Sequence, residues 1–280
     1  MKEYRLTDWL PTTKKEVELR GWDELDVILF SGDAYVDHPS FGAAVIGRIL
    51  EAEGLRVAIV PQPNWRDDLR DFRKLGRPRL FFGISAGCMD SMVNKYTANK
   101  RLRSDDAYTP DGRPDMRPEY PSIVYTQILK KLYPDVPVVL GGIEASMRRL
   151  SHYDYWQDRL KKSILCESGA DMLIYGMGEK PICELVRRLT ALCDNQDGVI
   201  SSSDIHSPAL SSIPQTAYLT RKYESDENDI TLYSHEECLA DKKKQATNFR
   251  HIEEESNKYA AARIVQAVDG KNVVVTTPYH

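Results

Sequence analysis

Five short, mostly apolar runs recur along this chain and alternate with segments of helical spacing. The runs are rich in β-branched and aromatic residues and lie at 26–30, 56–60, 80–85, 136–140 and 171–175. The helical segments lie at about 40–53, 120–132, 153–166 and 179–193. Strands that are apolar on both sides are typical of a parallel sheet covered by helices on both faces. The alternation therefore predicts a doubly wound α/β domain over residues 23–195, with a mostly parallel five-stranded sheet of Rossmann or flavodoxin type.

The segments on either side of this domain have a different composition. Residues 1–22 are largely polar, and we interpret them as an N-terminal arm. Residues 194–212 are rich in Ser, Asp and Gly, which favours a boundary there. We interpret residues 196–280 as a linker and a mainly helical extension.

Local signals subdivide this extension. A capping box at Ser234 predicts the start of a long helix, and Gly270 ends the helical region. Residues 215–219 and 272–277 are further strand candidates. Because the second candidate lies almost at the end of the sequence, we expect the chain to be the front portion of a longer protein.

Charge and cysteine content exclude several classes of protein. The net charge of −4 arises from interspersed charges of both signs, which removes the electrostatic argument for general nucleic-acid binding but not for a local basic patch. There is no apolar run long enough for a membrane span and no signal-peptide core, so we expect a soluble, cytoplasmic protein. The five cysteines are scattered without a C-x-x-C pair, which predicts reduced thiols and no metal site.

Glycine, accompanied by acidic or hydroxyl side chains, follows four of the five predicted strands. The carboxyl ends of parallel strands meet at one edge of the sheet, where glycine allows a ligand to approach the backbone closely. We expect the proline-rich segment 107–121 to cover this edge. The predicted cofactor-binding residues are Gly32, Asp33, Asp37, His38, Ser85, Gly87, Gly141, Gly142, Glu144, Gly176, Gly178 and Glu179.

A G-x-S-x-G motif around Ser85 offers an alternative, because such a motif after a strand can present a nucleophilic serine. In a serine hydrolase of this kind, Asp171 and either His206 or His235 would complete the triad. Neither a P-loop motif nor a complete G-x-G-x-x-G motif occurs, so the sequence gives no support for ordinary nucleotide binding.

Four segments in this order resemble the front half of the YgiQ-type radical S-adenosylmethionine proteins. They are SGDAYVDHPSFG, FFGISAGCMDSMVNKYTANKRLRSDDAYTPDGRP, VVLGGIEASMRRLSHYDYW and DMLIYGMGEKP, and the resemblance extends over about residues 8–280. It implies a front α/β domain, similar to a cobalamin-binding module, ahead of a radical-generating barrel that uses S-adenosylmethionine and a 4Fe–4S cluster. It also implies that residues 196–280 lead into that barrel, which would be this domain's partner.

The chain departs from the family pattern in one respect that concerns chemistry. The family's cluster needs a C-x-x-x-C-x-x-C motif, whose three thiolates bind three of the four irons. No such triplet occurs here. The resemblance therefore implies that the cluster site lies downstream of residue 280 and that this fragment is inactive by itself. We predict no catalytic residue and no metal ligand within it, and the substrate stays unassigned.

A cobalamin site is matched only in part. The modules that ligate cobalt carry D-x-H-x-x-G after the first strand, whereas Asp37 and His38 are adjacent here and Gly42 lies four residues beyond His38. The matching parts are the glycine turns at 141–142 and 176–179. Two alternatives stay open: a cobalamin bound without a histidine ligand, or a cofactor-free module that docks the barrel or part of the substrate.

Overall fold

The structure is a computed structural model that describes residues 5–194 and 198–279. Its helices are α1 Lys14–Leu19, α2 Gly42–Ala52, α3 Arg70–Arg73, α4 Ser91–Lys95, α5 Pro121–Leu132, α6 Gly142–Met147, α7 Ile164–Ser168, α8 Glu179–Asp194, α9 Ser202–Ile205, α10 Pro208–Ser211, α11 His235–Ala240 and α12 Lys242–Ser256. Its strands are β1 Leu25–Ser31, β2 Val57–Pro61, β3 Pro78–Ser85, β4 Val138–Gly141, β5 His152–Asp154, β6 Arg159–Lys161, β7 Met172–Ile174, β8 Thr216–Thr220, β9 Ile230–Leu232, β10 Ile264–Val268 and β11 Lys271–Val275.

Nine of these strands form one sheet in the order β2-β1-β3-β4-β7-β8-β11-β10-β9. The first five strands in that order are parallel. Strands β8 and β11 then run antiparallel to their neighbours, and β9 pairs in parallel with β10 at the far edge. The α/β class and the mostly parallel sheet are confirmed. The predicted number of five strands is wrong, because the part of the chain after residue 195 adds four more. The division into domains stays a prediction.

Strand β10 lies where the sequence predicted the end of a long helix. Asp269 and Gly270, with φ of 49° and 69°, join it to β11. Positive φ at both positions is what a two-residue type I′ hairpin turn requires. The Asp-Gly pair therefore turns the chain between two strands.

The predicted helix over 153–166 is also mostly wrong. Strands β5 and β6 form an antiparallel hairpin in its place, and only the short helix α7 follows them. Asp158, with a φ of 50°, lies in the connection between the two strands. The aromatic residues in this segment are therefore arranged along a hairpin rather than on a helix.

Both faces of the parallel strands are covered, which explains their continuous apolar sequences. Phe81 packs with α2 and α8 on one face, in a buried cluster that includes Leu50 and Leu185. The next residue, Phe82, packs on the opposite face in the cluster that contains Tyr125 of α5. Consecutive side chains of a strand point to opposite faces, so each face of β3 must be apolar. Side chains with polar chemistry are therefore concentrated at the strand ends.

An ion pair joins the residues that lead into the two outermost strands at the far edge, β9 and β10. The carboxylate of Asp229, just before β9, accepts two hydrogen bonds of 2.7 Å from Nε and Nη2 of Arg263, just before β10. These hydrogen bonds hold the pKa of Asp229 at about 2, below its usual value. Asp229 therefore stabilises the fold above pH 4, and this contribution is lost as the pH falls through about 2.

We expect the substitution Asp229→Asn to lower the free energy of unfolding by about 2 kcal/mol at pH 7, because the charged pair is lost. Asp269→Asn is the control, since its partner Lys162 is 38% exposed and the pair is worth at most about 1 kcal/mol. Denaturant unfolding at several pH values measures both changes. Equal losses for the two variants at pH 7 would contradict this account of β9.

Candidate functional site

A cavity of about 290 Å³ lies at the carboxyl edge of the parallel strands. Its lining comes from the ends of β1, β3, β4 and β7 and from the first turns of α2 and α8. The walls are mainly apolar, and the polar side chains among the described lining residues are Ser40, Ser85 and Glu179. The cavity is therefore suited to a ligand with an apolar body and a few polar groups.

Six of the twelve predicted binding residues line this cavity: Ser85, Gly141, Gly142, Gly176, Gly178 and Glu179. Glycine is required at position 142, where φ is +83° and an added Cβ would lie 2.6 Å from Ser85 Oγ. Ser85 Oγ in turn accepts a hydrogen bond of 3.2 Å from the backbone N–H of Gly87. The turn after β4 can therefore approach the end of β3 only because it has no side chain there.

Three helices, α2, α6 and α8, begin at the cavity, and Gly142 of α6 is among its lining residues. Gly42 and Ala43 of α2 line it, as do Gly178 and Glu179 at the start of α8. The N-cap residue of α2, Phe41, makes no side-chain hydrogen bond to the first turn. The first N–H groups of a helix have no partner within the helix and carry partial positive charge. The rim of the cavity can therefore donate hydrogen bonds to a polar or anionic part of a ligand.

Gly32, Asp33 and Gly87 lie beside this cavity, in a part of the edge closed by Arg117. Arg117 belongs to the proline-rich segment 107–121, and only 1% of its surface is exposed. Its Nη1 lies 2.9 Å from Asp33 Oδ1 and 3.1 Å from the carbonyl oxygen of Ala86. Its Nη2 lies 2.8 Å from Asp106 Oδ2. The segment is thus fixed over the end of β1 by a buried guanidinium between two carboxylates.

The packing beneath Arg117 leaves no room for additional atoms. A Cβ at Gly32 would lie 2.0 Å from the carbonyl oxygen of Ala86, and one at Gly87 would lie 2.1 Å from Asp33 Oδ1. Burial raises the pKa of Asp33, although Arg117 opposes the shift. Burial and the nearby Asp33 also raise the pKa of the Cys88 thiol to about 11. Cys88 is therefore protonated at neutral pH and is a poor nucleophile.

The remaining three predicted residues, Asp37, His38 and Glu144, have other contacts. Asp37 forms an ion pair with Arg48 of α2. His38 is exposed, and its Nδ1 accepts a hydrogen bond of 3.1 Å from the backbone N–H of Ser40. None of the three lines the described part of the cavity.

Glu144 is fully buried and serves two other helices. It accepts hydrogen bonds from the backbone N–H groups of Ser91, at 3.3 Å, and Ser122, at 3.1 Å. These residues lie in the first turns of α4 and α5. Glu144 therefore accepts hydrogen bonds from backbone N–H groups at the starts of both helices, and its role is structural rather than ligand-binding.

Gln215 holds the turn after β7 that lines the cavity, and the sequence patterns do not identify it. Its Nε2 donates hydrogen bonds to the carbonyl oxygens of Tyr175, at 2.7 Å, and Met177. Its Oε1 accepts a hydrogen bond of 3.3 Å from the backbone N–H of Tyr279, near the end of the chain. Its φ of +63°, rare for a residue with a side chain, is visible only in the structure. Gln215 thus ties the turn after β7 to the last described residues.

The proposed serine hydrolase triad is not assembled. Ser85 ends β3, whereas Asp171 directly precedes β7 and therefore lies at the opposite edge of the parallel strands. Asp171 Oδ2 accepts hydrogen bonds from Lys130 and from the backbone N–H of Val138. His235 Nδ1 is 3.0 Å from Ser151 Oγ. The structure therefore gives no support for a nucleophilic Ser85.

Metal ligands do not converge anywhere in the described part of the chain. Within residues 5–194 and 198–279, no three His, Cys, Asp or Glu side chains are grouped in a way that could hold a metal ion. All five cysteines are free. Among the same residues, no helix has the length and apolar character needed to cross a membrane.

The buried ion pairs of Arg117 give a direct test of how the proline-rich segment is held. We expect Arg117→Met to lower the free energy of unfolding by about 3 kcal/mol or more, because two buried carboxylates lose their cation. We also expect faster chymotrypsin cleavage within the segment. The matched control is Arg113→Met, whose pair with Asp111 is exposed and worth at most about 1 kcal/mol. If both variants were equally stable and resistant to the protease, Arg117 would not be what holds the segment.

Comparisons with known proteins agree with the sequence resemblance. The family model described as Radical SAM N-terminal matches residues 9–280. A UPF0313 protein of Bacteroides thetaiotaomicron is 80% identical over 281 residues, which cover 100% of this chain and 45% of that protein. A UPF0313 protein of Porphyromonas gingivalis is 69% identical, covering 99% of this chain and 42% of that protein. The chain thus spans less than half the length of these relatives.

Two further matches are more distant. The UPF0313 protein YgiQ of Escherichia coli is 56% identical over 181 residues, 65% of this chain and 24% of that protein. A solved structure of TsrM, a radical S-adenosylmethionine methyltransferase from Kitasatospora setae with tryptophan substrate and a SAM analog bound, has a TM-score of 0.41. It shares 20% identity over 69% of this chain and 28% of that chain. The family match extends over nearly the whole sequence, and the chain belongs to the Radical SAM N-terminal family.

Proposed function

We propose that this chain is the accessory, ligand-binding domain of a radical S-adenosylmethionine iron–sulfur enzyme whose substrate is still unknown. The observation that carries the proposal is the cavity of about 290 Å³ at the carboxyl edge of the parallel strands, in a member of this family. Ligands of open α/β sheets bind at this edge, beyond the ends of the strands. The apolar walls would hold the body of the ligand, while Ser85 and the first turns of α2 and α8 would orient its polar groups.

The 4Fe–4S cluster does not fit the residues of this chain. Such a cluster needs three thiolates within reach of one another, and no set of metal ligands is grouped in the described residues. In our proposal, the residues that bind the cluster and S-adenosylmethionine therefore belong to the part of the protein outside this chain. The cluster and S-adenosylmethionine, when bound there, supply the radical chemistry. This domain would bind and orient a ligand.

Cobalamin is one candidate for the cavity. A histidine ligand to cobalt does not fit, because His38 is exposed and does not line the cavity in the described structure. The lining of the cavity is consistent only with a cobalamin held through its nucleotide tail. That tail would lie against the glycine turns at 141–142 and 176–178.

A cofactor-free docking module is the second candidate, and a specific feature favours it. The exposed apolar side chains Ile143, Met147 and Met177 belong to the segments that follow β4 and β7, and Met177 also lines the cavity. Tyr279 lies nearby, with its ring centroid 5.8 Å from Lys180 Nζ at the start of α8. A catalytic portion that follows this chain would begin next to that apolar surface, which suits contact with another protein surface.

Hydroxocobalamin distinguishes these two candidates. We expect the chain to retain it through gel filtration with a shifted visible spectrum, and Ala43→Phe, which fills the cavity, to weaken binding about tenfold or more. Ala52→Phe is the matched control, because Ala52 is exposed at the other end of the same helix. If the unmodified chain does not bind cobalamin, or if both variants bind equally well, the cobalamin version fails and the docking version is favoured.

Reconstitution tests the family-level proposal. We expect the full-length protein that contains this chain, reconstituted with iron and sulfide, to cleave S-adenosylmethionine to 5′-deoxyadenosine under reducing conditions. The 280-residue chain treated in the same way should form neither a cluster nor this product, because no three potential metal ligands are grouped within its described residues. Chromatographic detection of 5′-deoxyadenosine and the visible absorption of the cluster measure both. The absence of cluster and product in the full-length protein would overturn the proposal.

A further inference from the structure

Two hairpins outside the cavity together form what we call the basic–aromatic surface, made of residues 95–103 and 152–161. In the first hairpin, Tyr96 and Leu102 form an isolated antiparallel bridge, and Lys100 lies in the turn with a φ of 58°. The second hairpin consists of β5 and β6. Neither hairpin contributes to the described lining of the cavity.

Direct contacts join the two hairpins into one surface. Lys100 Nζ donates a hydrogen bond of 3.2 Å to the carbonyl oxygen of Trp156 and lies 4.7 Å from the ring centroid of Tyr155. The hydroxyl of Tyr155 donates a hydrogen bond of 2.8 Å to the carbonyl oxygen of Ala98. Each hairpin therefore donates a hydrogen bond to a backbone oxygen of the other, and these bonds fix their relative position.

Large apolar and aromatic side chains on this surface are exposed to solvent. The exposed fractions are 57% for Tyr153, 47% for Tyr155 and 62% for Leu102. Exposing rings of this size together has a cost in free energy that burial elsewhere would avoid. Such exposure is typical of a binding surface.

Four cations of the surface have no acidic partner. Lys100, Arg101, Arg103 and Arg159 form no ion pair with any described residue of the chain. Lys100 and Arg103 bond only to backbone oxygens, and Arg101 and Arg159 are exposed.

Among the acidic side chains near these cations, only Asp115 is paired with a described basic residue, while Asp158 and Glu119 accept hydrogen bonds from neutral hydroxyls. Asp115 binds Lys95, and the two hydroxyls are those of Tyr153 and Tyr96, respectively. The segment 95–103 contains four basic residues and no acidic one, although the chain as a whole has a net charge of −4. The first hairpin is therefore locally basic, with its positive charge concentrated in four side chains.

From this arrangement we infer that the basic–aromatic surface binds single-stranded nucleic acid. Exposed tyrosine rings stack on unpaired bases, and neighbouring cations contact the phosphates, with little dependence on sequence. A duplex offers its phosphates but not its base faces, so the rings favour a single strand. This inference goes beyond the function proposed for the cavity and does not depend on a ligand there.

Charge reversal with a matched control tests the electrostatic part. Fluorescence anisotropy of a fluorescein-labelled 20-nucleotide oligouridylate, with the 280-residue chain and with the full-length protein, gives the affinity at several salt concentrations. We expect the double variant Arg101→Glu/Arg159→Glu to weaken binding about tenfold or more and to lower the salt dependence. The control Lys14→Glu/Lys15→Glu changes the net charge equally on exposed residues of α1 and should bind within about twofold of the unmodified protein.

Substitutions of Tyr153 test stacking separately from structure. Tyr153→Leu removes the ring, and we expect it to weaken binding about fivefold or more. Tyr153→Phe keeps the ring but removes the hydroxyl that bonds Asp158, so it should bind oligouridylate nearly as well as the unmodified protein. Circular dichroism and thermal unfolding establish that each variant is folded.

Failure of both proteins to bind oligouridylate would overturn the inference, as would tighter binding to vesicles of anionic phospholipid than to the oligonucleotide. Equal losses of affinity in the two charge-reversal variants, or equal losses for Leu and Phe at position 153, would overturn it as well. Binding by the 280-residue chain but not by the full-length protein would also overturn it, because the surface would then be covered by the rest of the protein. A failure here leaves the cobalamin and 5′-deoxyadenosine results untouched.

Discussion

Burial of the parallel strands on both faces is the constraint on which the rest of the molecule depends. Phe81 and Phe82 are neighbours in β3, yet they pack in separate cores on opposite sides of the sheet. Helices cover both faces, so the strands have no face left for polar chemistry. Ligand contacts are therefore confined to the ends of the strands, where turns expose backbone groups and helices begin. This is the reason that glycine is concentrated at the carboxyl edge.

The carboxyl edge is divided into a closed part and a cavity. At the end of β1, Arg117 fills the space between Asp33 and Asp106 and forms an ion pair with each of them. At the ends of β3, β4 and β7, glycine turns and aliphatic side chains leave a volume without a side chain to fill it. Glycine followed by polar residues thus packs against Arg117 at the end of β1, whereas the same type of sequence lines the cavity at the ends of the other strands. Which role applies depends on what the rest of the chain brings to that end.

Sequence patterns predicted the parallel strands because those strands are continuously apolar, which is a local property. Strand β10 was assigned to a helix, although the Asp269-Gly270 pair carries a local hairpin signal that could have corrected the assignment. The hairpin over residues 152–161 was missed because its spacing of apolar residues also fits a short helix.

Long-range contacts could not be predicted in this way. Glu144 was expected at a ligand, but its carboxylate bonds the starts of α4 and α5, which are 53 and 22 residues away in sequence. The role of Arg117 cannot be predicted from the sequence, because a single arginine in a proline-rich loop gives no indication that it will be buried. The half of the predicted site that lines the cavity consists mostly of turn glycines, whose positions follow directly from the strand ends.

Gln215 makes the turn after β7 and the final described residues mechanically dependent on each other. The nitrogen of its planar side-chain amide donates hydrogen bonds to two carbonyl oxygens of the turn, and the amide oxygen accepts one from the N–H of Tyr279. Because the amide is rigid, rotating it to follow a movement on one side breaks the hydrogen bonds on the other side. A displacement of Met177 at the wall of the cavity would therefore strain the same amide that holds the backbone at Tyr279.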